Sequence, residues 1–560
     1  MAVEFLPSVH VTPKVEPRAD RWWKGAVIYQ IYPRSFQDSD GNGIGDLAGI
    51  TRRLDHVASL GVDAIWISPF MKSPQKDFGY DVEDYRAVDP MFGTLDDFDA
   101  MLEAAHARDL KVLIDFVPSH TSDRHAWFKE SRASRDNARA DWYVWASARP
   151  DGTAPNNWMS VFGGPAWAFD TRRHQYYLHN FLEEQPDLNF HNPDVIAALM
   201  EQAKFWLDRG VDGFRVDAID FGVHDPQLRD NPARPPAPDQ HGAITPFGMQ
   251  YQQWNKARPE LSELFLKPLY RLTQNYAGRC LLGEISGDHA LRRMADYSHG
   301  GGLDMAYSFE LLTCAPTASA IARVVEQAER HIGEGWPCFA FSNHDVYRSG
   351  TRFARGTPHP DLLALIPQLL CSLRGSICLY QGEELGLTET PLTYDQLQDP
   401  VGLTFWPESR GRDGCRTPMP WAAQAPHAGF SEADPWLPVG EANAARAVDR
   451  QEGDPASVLE RTRAFLAWRR NRPALIRGDL QLMGDGEMVL TFVRSWEGET
   501  IFCAFNLTDQ PQTVDLGAGL SNPVRSLDCP TAAGRVDGTT VHLPAYASLF
   551  AAPAADAKEP

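Results

Sequence analysis

Gly213-Phe214-Arg215-Val216-Asp217 is a short, mostly apolar run that ends on an acid. Leu281-Leu282-Gly283-Glu284 and Phe341-Ser342-Asn343-His344-Asp345 repeat the form. Each reads as a strand buried on both faces, with a polar tip at its C-terminal end, as in a parallel sheet. Eight such runs, at residues 26–32, 64–68, 112–117, 213–217, 280–284, 303–308, 338–342 and 377–380, alternate with helix-like segments. Leu95–His106, for example, places Leu95, Phe98, Leu102 and Ala105 on one stripe, and 195–207 carries another. Alternation of this kind implies crossover helices over a parallel sheet, and eight units imply an α/β chain closed as a (β/α)8 TIM barrel. A barrel gathers its strand tips on one face, so Asp217, Glu284 and Asp345 are expected to share a cleft.

The third unit is followed by a long segment, 121–186, rich in Trp, Asn, Gly and Tyr and without a helical period. A loop of that length is functional or a small inserted domain. Further excursions run over 223–260, with a Pro-rich patch at 231–238, and over 388–440. A helix at 457–470 closes the barrel region, and beyond residue 479 the pattern turns to period two: 488–493, 500–506, 513–516, 539–543 and 547–551. The expected division is a barrel of residues 1–120 and 187–478, an inserted subdomain of 121–186, and a C-terminal β-sandwich of 479–560 that ends in an Ala/Pro-rich, disordered tail at 552–560.

Composition bounds the function. The chain of 560 residues carries a net charge of −21, which argues against binding a phosphate backbone and hence nucleic acid. No apolar run of about 18 residues is present, so no membrane span is expected, and residues 1–23 lack the apolar centre of a signal peptide. The eight cysteines are scattered and form no C-x-x-C pair, which excludes the usual zinc motifs and fits reduced thiols in a cytoplasmic protein. Sixteen Trp and sixteen Tyr are ample for stacking on sugar rings.

One buried acid alone is as well explained by a structural ion pair. Three at strand tips, beside Arg215 and Asn343-His344, point to glycoside bond cleavage by two carboxyl groups. In the retaining form of that reaction an ionised nucleophile and a protonated acid stand about 5–5.5 Å apart. Arg215, on the same strand face as Asp217, is expected to lower the pKa of that acid. Glu284 follows an apolar run and has no cation beside it in sequence, which suits a proton-holding acid.

These strings resemble the α-amylase family of glycoside hydrolases, glycoside hydrolase family 13, and within it the α-glucosidase and oligo-1,6-glucosidase branch. The resemblance covers essentially the whole chain. Asp115-Phe116-Val117-Pro118-Ser119-His120 is similar to the family's strand-3 motif, and Gln185-Pro186-Asp187-Leu188-Asn189 to a tag of this branch. The resemblance implies Asp217 as nucleophile, Glu284 as acid/base and Asp345 as transition-state stabiliser, with His120, Arg215 and His344 around the sugar. Ser119 stands where the family commonly has Asn, which weakens any case for a metal at that position. Gly79-Tyr80-Asp81 and 411–418 are similar to strips that seat a non-reducing-end glucose. They imply an Asp81–Arg412 pair closing the pocket, Tyr80 stacking under the ring, Phe162 among the substrate contacts, and exo cleavage.

The loop Asp38-Ser39-Asp40-Gly41-Asn42-Gly43-Ile44-Gly45-Asp46 has oxygen ligands at alternate positions and glycines for the turn. It is not a complete EF-hand loop, since Gly49 stands where that motif has its bidentate Glu. The resemblance implies structural Ca2+ or Mg2+ held by Asp38, Asp40, Asn42, the Ile44 carbonyl and Asp46, and no organic cofactor. Ala218, next to the implied nucleophile, is small where α-1,6-acting members often carry Val, so α-1,4 linkages are the expected substrate. The expected partners are maltose, short malto-oligosaccharides, sucrose or aryl glucosides, with the chain a monomer or homodimer. Glucosyl transfer and sucrose or maltose isomerisation use the same intermediate and stay open. The run Ser349-Gly350-Thr351-Arg352-Phe353 lacks the charge alternation common in sucrose isomerases. A non-catalytic accessory protein on the same barrel would have lost its acids and gained a membrane anchor.

Overall fold

The computed structural model describes residues 21–235, 245–333, 335–484, 487–515 and 524–554. Eight parallel strands form one sheet: β1 (Val27–Ile31), β2 (Ala64–Ile67), β3 (Lys111–Phe116), β4 (Gly213–Val216), β5 (Cys280–Ile285), β6 (Met305–Ser308), β7 (Cys338–Phe339) and β8 (Ser376–Tyr380). They pair in the order β6-β5-β4-β3-β2-β1-β8-β7, and a parallel bridge between Ala306 and Pro337 brings β6 against β7. The result is a (β/α)8 barrel. Helices Leu47–Ser59, Leu95–His106, Pro193–Arg209, Lys267–Gln274, Ala290–Ser298, Ala318–Ile332, Pro360–Leu370 and Val458–Arg469 follow the strands in turn.

The apolar runs form strands because both faces of each are covered. Ile28, Trp66, Leu113, Leu282, Met305 and Cys338 fill the barrel interior, while Ile65, Val112, Phe214, Leu281 and Ile377 pack outward against the helices. Local signals set the helix ends. Thr94 and Asp97 close a reciprocal capping box, and Gly210, at φ 107°, ends Pro193–Arg209 in the left-handed conformation. None of the eight cysteines is in a disulfide and seven are buried, as expected of small apolar fillers.

Residues 121–186 carry a separate three-stranded antiparallel sheet, Trp145–Ala146, Gln175–Leu178 and Trp167–Asp170. The segment also contains a short helix, Ala126–Ser131, capped by His125, which the periodicity of the sequence did not show because one and a half turns are too few for a stripe. Bridges His120–Asp187 and Tyr143–Leu188 staple the segment to the rim of β3. The C-terminal region stacks a five-stranded antiparallel sheet on a three-stranded one, with Phe502, Ala504, Leu549, Val541 and Leu543 between them. Its last strand, Ser548–Pro553, takes in the start of the segment expected to be a tail, while 555–560 and the end of the Pro-rich patch at 236–238 lie outside the described residues. Among the described residues no helix is long and apolar enough to cross a membrane.

Candidate active site

Strand register brings the acids together. β3 and β4 pair Asp115 with Arg215, β4 and β5 pair Arg215 with Leu282, and β5 and β6 pair Glu284 with Tyr307. Two residues beyond the Arg215–Leu282 pair, Asp217 and Glu284 therefore stand level on adjacent strands, and equal parity points both into the cleft. Strand spacing of about 4.8 Å places their carboxyls close to the separation of a retaining glycosidase, about 5–5.5 Å. Gly213 opens β4 because no side chain fits there: a Cβ would meet the Cys280 carbonyl oxygen at 2.1 Å.

Arg215 is fully buried and serves all these acids at once. Its Nη1 donates to Asp115 Oδ1 at 2.7 Å and to Asp217, and its Nη2 donates to Glu284 and to the Tyr307 hydroxyl at 2.8 Å. Two sequence expectations are corrected by this. Glu284 does have an adjacent cation, contributed by the neighbouring strand. Asp217 is not held below the ordinary carboxylate range by Arg215: burial, with the charges of Glu284 and Asp115, pushes its carboxyl up despite the guanidinium. Burial likewise raises Glu284, and raises Asp115 to about 6. Three buried carboxyls around one guanidinium favour keeping a proton within the group.

Asp345 has a different environment. It lies on the loop beyond β7, where Arg416 Nη2 meets its Oδ1 at 2.9 Å and Arg412 Nη1 at 3.2 Å. Burial opposes its charge, but His344, Arg412 and Arg416 outweigh it and hold the carboxyl below its usual range. His344 Nε2 lies 2.6 Å from the Tyr80 hydroxyl and its Nδ1 2.7 Å from Gln30 Nε2. Burial lowers His344 to about 3 and His120 to about 4, so both rings are neutral near pH 7. Ser119 Oγ, 3.0 Å from His120 Nδ1, orients that ring, while Gln185 Nε2 lies 3.1 Å from its Nε2.

A cavity of about 720 Å³ has Tyr80, His120, Phe162, Asp217, Glu284, Asp345 and Arg412 in its walls, while Arg215 and His344, expected around the sugar, are fully buried behind that wall. Asp81 is not there. Its carboxyl accepts from Ser73 Oγ at 2.8 Å, Lys76 N at 2.9 Å and Asp77 N at 3.0 Å, which turns it into the chain. The expected Asp81–Arg412 pair is therefore corrected to Asp77–Arg412, at 2.9 Å, with Asp399 holding the same guanidinium at 2.7 Å. Asp77 faces the cavity, and Gln185 Nε2 reaches its other oxygen at 3.2 Å. Both acids flank Phe78-Gly79-Tyr80, so the strip itself held the signal, but nothing local tells which acid faces the cavity. The ring of Phe162 lies 5.2 Å from the Arg412 guanidinium.

The acidic loop lies apart from this cleft, between β1 and the helix that Asp46 caps. Carboxylate oxygens of Asp38, Asp40 and Asp46 converge within 4.8 Å, and among the described residues no Lys or Arg pairs with them. Asn42 Oδ1 accepts from Ile44 N at 2.8 Å and so braces the turn. Three hard oxygen donors with uncompensated charge suit a hard cation.

A buried carboxyl pair at the C-terminal mouth of a (β/α)8 barrel, with a charged clamp for a sugar beside it, defines a glycoside hydrolase. The family model described as the α-amylase catalytic domain matches residues 30–478, and one for the D-apionate lactonase C-terminal immunoglobulin-like domain matches 487–551. The chain belongs to the α-amylase family, glycoside hydrolase family 13, in its α-glucosidase branch. A probable alpha-glucosidase of Rhizobium meliloti (strain 1021) is 51% identical over 553 residues, covering 96% of this chain and 98% of the relative. An oligo-1,6-glucosidase of Heyndrickxia coagulans is 35% identical over 88% of this chain and 93% of its own. The solved alpha-glucosyl transfer enzyme XgtA superposes with a TM-score of 0.93 at 52% identity, covering 95% of this chain and 99% of that one. The trehalulose synthase MutB from Pseudomonas mesoacidophila MX-45 does so at 0.84 and 32%, again over 95% and 99%.

Proposed function

We propose that this chain is an exo-acting, retaining α-glucosidase that releases α-glucose from the non-reducing ends of short α-1,4-linked oligosaccharides such as maltose, with transglucosylation as a side activity. The observation that carries the reading is the Asp77–Arg412–Asp345 clamp, which stands in the cavity wall with Tyr80 and His120, His344 backing Tyr80 from behind. Such a clamp holds the hydroxyls of one terminal glucose and leaves no groove for a glucan to run on past it. With the retained proton on Glu284, Asp217 is charged against Arg215. Its carboxylate attacks the anomeric carbon as the glycosidic oxygen takes the Glu284 proton, giving a β-glucosyl ester. Water then gives its proton to Glu284 and its oxygen to the anomeric carbon, and Asp217 leaves with retained α configuration. Asp345, His120 and His344 bind the flattened ring more tightly than the resting one.

A second reading, in which a hydroxyl acceptor takes the place of water as the main reaction, draws support from the 52% identity to a glucosyl transfer enzyme. Product analysis on maltose, isomaltose, sucrose and trehalose, with and without glycerol, separates the two. Glucose release from maltose supports hydrolysis, whereas isomers or glucosyl glycerol dominating from the start favour transfer. Linkage preference is assigned to Ala218, which lines the cavity at φ 38° beside the nucleophile. Ala218→Val is expected to shift the maltose-to-isomaltose ratio of kcat/KM by about 10-fold or more toward isomaltose. Strain from a β-branched residue at positive φ weighs on both substrates alike, so the ratio isolates the steric effect. An unchanged ratio overturns the assignment.

We also assign the Asp38–Asp46 loop to a structural Ca2+ or Mg2+, held by Asp38, Asp40 and Asp46, with Asn42 and the Ile44 carbonyl completing the loop. The ion supplies charge neutralisation and no chemistry. Chelation is expected to lower Tm by roughly 2 °C, as a bound ligand at about 100 times its Kd contributes about 2.7 kcal/mol and a chain of this length loses little Tm per kcal/mol. The kcat of the protein that remains folded should be unchanged, and Tm should return with added Ca2+ or Mg2+.

A further inference from the structure

One cation in the cavity wall has no place in the chemistry above. Lys256, in the excursion after β4, is only 4% exposed and lines the cavity together with Ala218, Phe221, Ser286 and Gly287. Its Nζ donates to Ser286 Oγ at 2.6 Å and lies 4.2 Å from the centre of the Phe221 ring. An ammonium carries three donors. Among the described residues no carboxylate lies within ion-pair distance of this one, and no second acceptor meets it. A buried charge without a carboxylate in contact is costly, and burial does lower the pKa of this group, although the more distant charges of Asp220, Glu284 and Asp288 oppose that shift. The backbone leaves space around it: Gly287 is at φ 87°, and a Cβ there would lie 3.1 Å from Nζ.

Its neighbours tell which part of the substrate it faces. Ala218 and Phe221 follow the nucleophile, and Ser286 and Gly287 follow the acid/base. The glycon clamp of Asp77, Tyr80 and Arg412 makes none of its contacts. Lys256 therefore stands on the leaving-group side, where the departing sugar sits before cleavage and an acceptor sits after it. The acids around it disfavour an anionic occupant. A neutral polyol, whose hydroxyl oxygens accept from the two remaining N–H groups, satisfies both the donors and the charge.

We infer that Lys256 anchors a hydroxyl of the leaving-group sugar, and of a sugar acceptor that replaces it, and so sets the preference of this site for a sugar over an apolar aglycone. The inference rests on the α-glucosidase reading. The bond changes are those already described: the acceptor oxygen bonds to the anomeric carbon, its proton goes to Glu284, and Asp217 is released.

The test compares maltose with phenyl α-glucoside, whose leaving group carries no hydroxyl for the lysine to hold. Lys256→Met keeps the length of the side chain and its packing on Phe221. It is expected to lower kcat/KM about 10- to 100-fold on maltose and less than about 3-fold on phenyl α-glucoside, since a charged hydrogen bond is lost on the first alone. Transfer to added glucose, relative to hydrolysis, should fall in parallel, and Lys256→Arg should recover most of the loss. Lys256→Gln serves the same comparison if the methionine variant does not fold. Equal losses on both substrates, or an unchanged maltose value, overturn the inference and leave Lys256 as a support for the Ser286 turn. Wild-type protein that turns over neither substrate sinks the α-glucosidase reading itself, and this inference with it, before any variant is made.

Discussion

Asp217→Asn is expected to lower kcat on p-nitrophenyl α-glucoside by roughly 10⁴-fold or more, with Tm within a few degrees of wild type. The large effect on rate follows from the missing ester bond: an amide cannot form the glucosyl intermediate. The small effect on folding follows from Arg215, which keeps Asp115, Glu284 and the Tyr307 hydroxyl as partners when Asp217 loses its charge. Removing one of three crowded acids also relieves the burial of like charge that raises the other two. Stereochemistry tests the roles separately. In Asp217→Ala, azide that fills the vacated space attacks from the nucleophile's face and should give the β-glucosyl azide. In Glu284→Ala, azide resolves a normal ester and should give the α-anomer. The opposite pairing of variants and anomers would exchange the two roles, and near-normal turnover by Asp217→Asn would remove that residue from the chemistry.

Arg412→Ala should be the next most damaging change, lowering kcat/KM on maltose by about 10²–10³-fold. The guanidinium is the common partner of Asp77, Asp345 and Asp399. Without it three carboxylates face one another around the seat of the terminal glucose, and the clamp opens. Arg412→Lys should recover little, because a point charge cannot meet three carboxylates in the directions that a planar fork does. Asp77→Ala should reproduce much of the loss in kcat/KM. Asp81→Asn should act mainly on Tm, since the Asp81 carboxyl ties Ser73, Lys76 and Asp77 into their turn. Measuring kcat/KM and Tm for Arg412→Ala, Asp77→Ala and Asp81→Asn decides the matter. A larger kinetic defect in Asp81→Asn than in Asp77→Ala would restore the pairing expected from sequence.

The barrel was legible because its signal is local and repeated. A mostly apolar run of four to seven residues, then a polar tip, then an amphipathic helix, occurs eight times, and the strands formed where the runs lie. Asp217, Glu284 and Asp345 were legible for the same reason, each being the acid at such a tip, and the convergence of Asp38, Asp40 and Asp46 because the three fall within nine residues. The short helix at Ala126–Ser131 escaped because it is too brief to show a period, and Lys256 because a lone lysine in a loop looks like any solvated charge.

What the sequence alone determined, then, is which strands exist, which face of the barrel carries the acids, and which acids they are, since pattern along the chain dictates these. Tertiary structure alone decided how charge is shared among them. Arg215 reaches Glu284 across 69 positions, and Arg412 reaches Asp77 across 335. Asp77 and Asp81 are the same residue type, four apart, on either side of one aromatic strip. Only the turn that ties Asp81 to the backbone leaves Asp77 to meet the arginine. Whether a buried acid holds its proton depends on which cations and dipoles the fold brings within a few ångströms of it, and residues distant in sequence supply most of them.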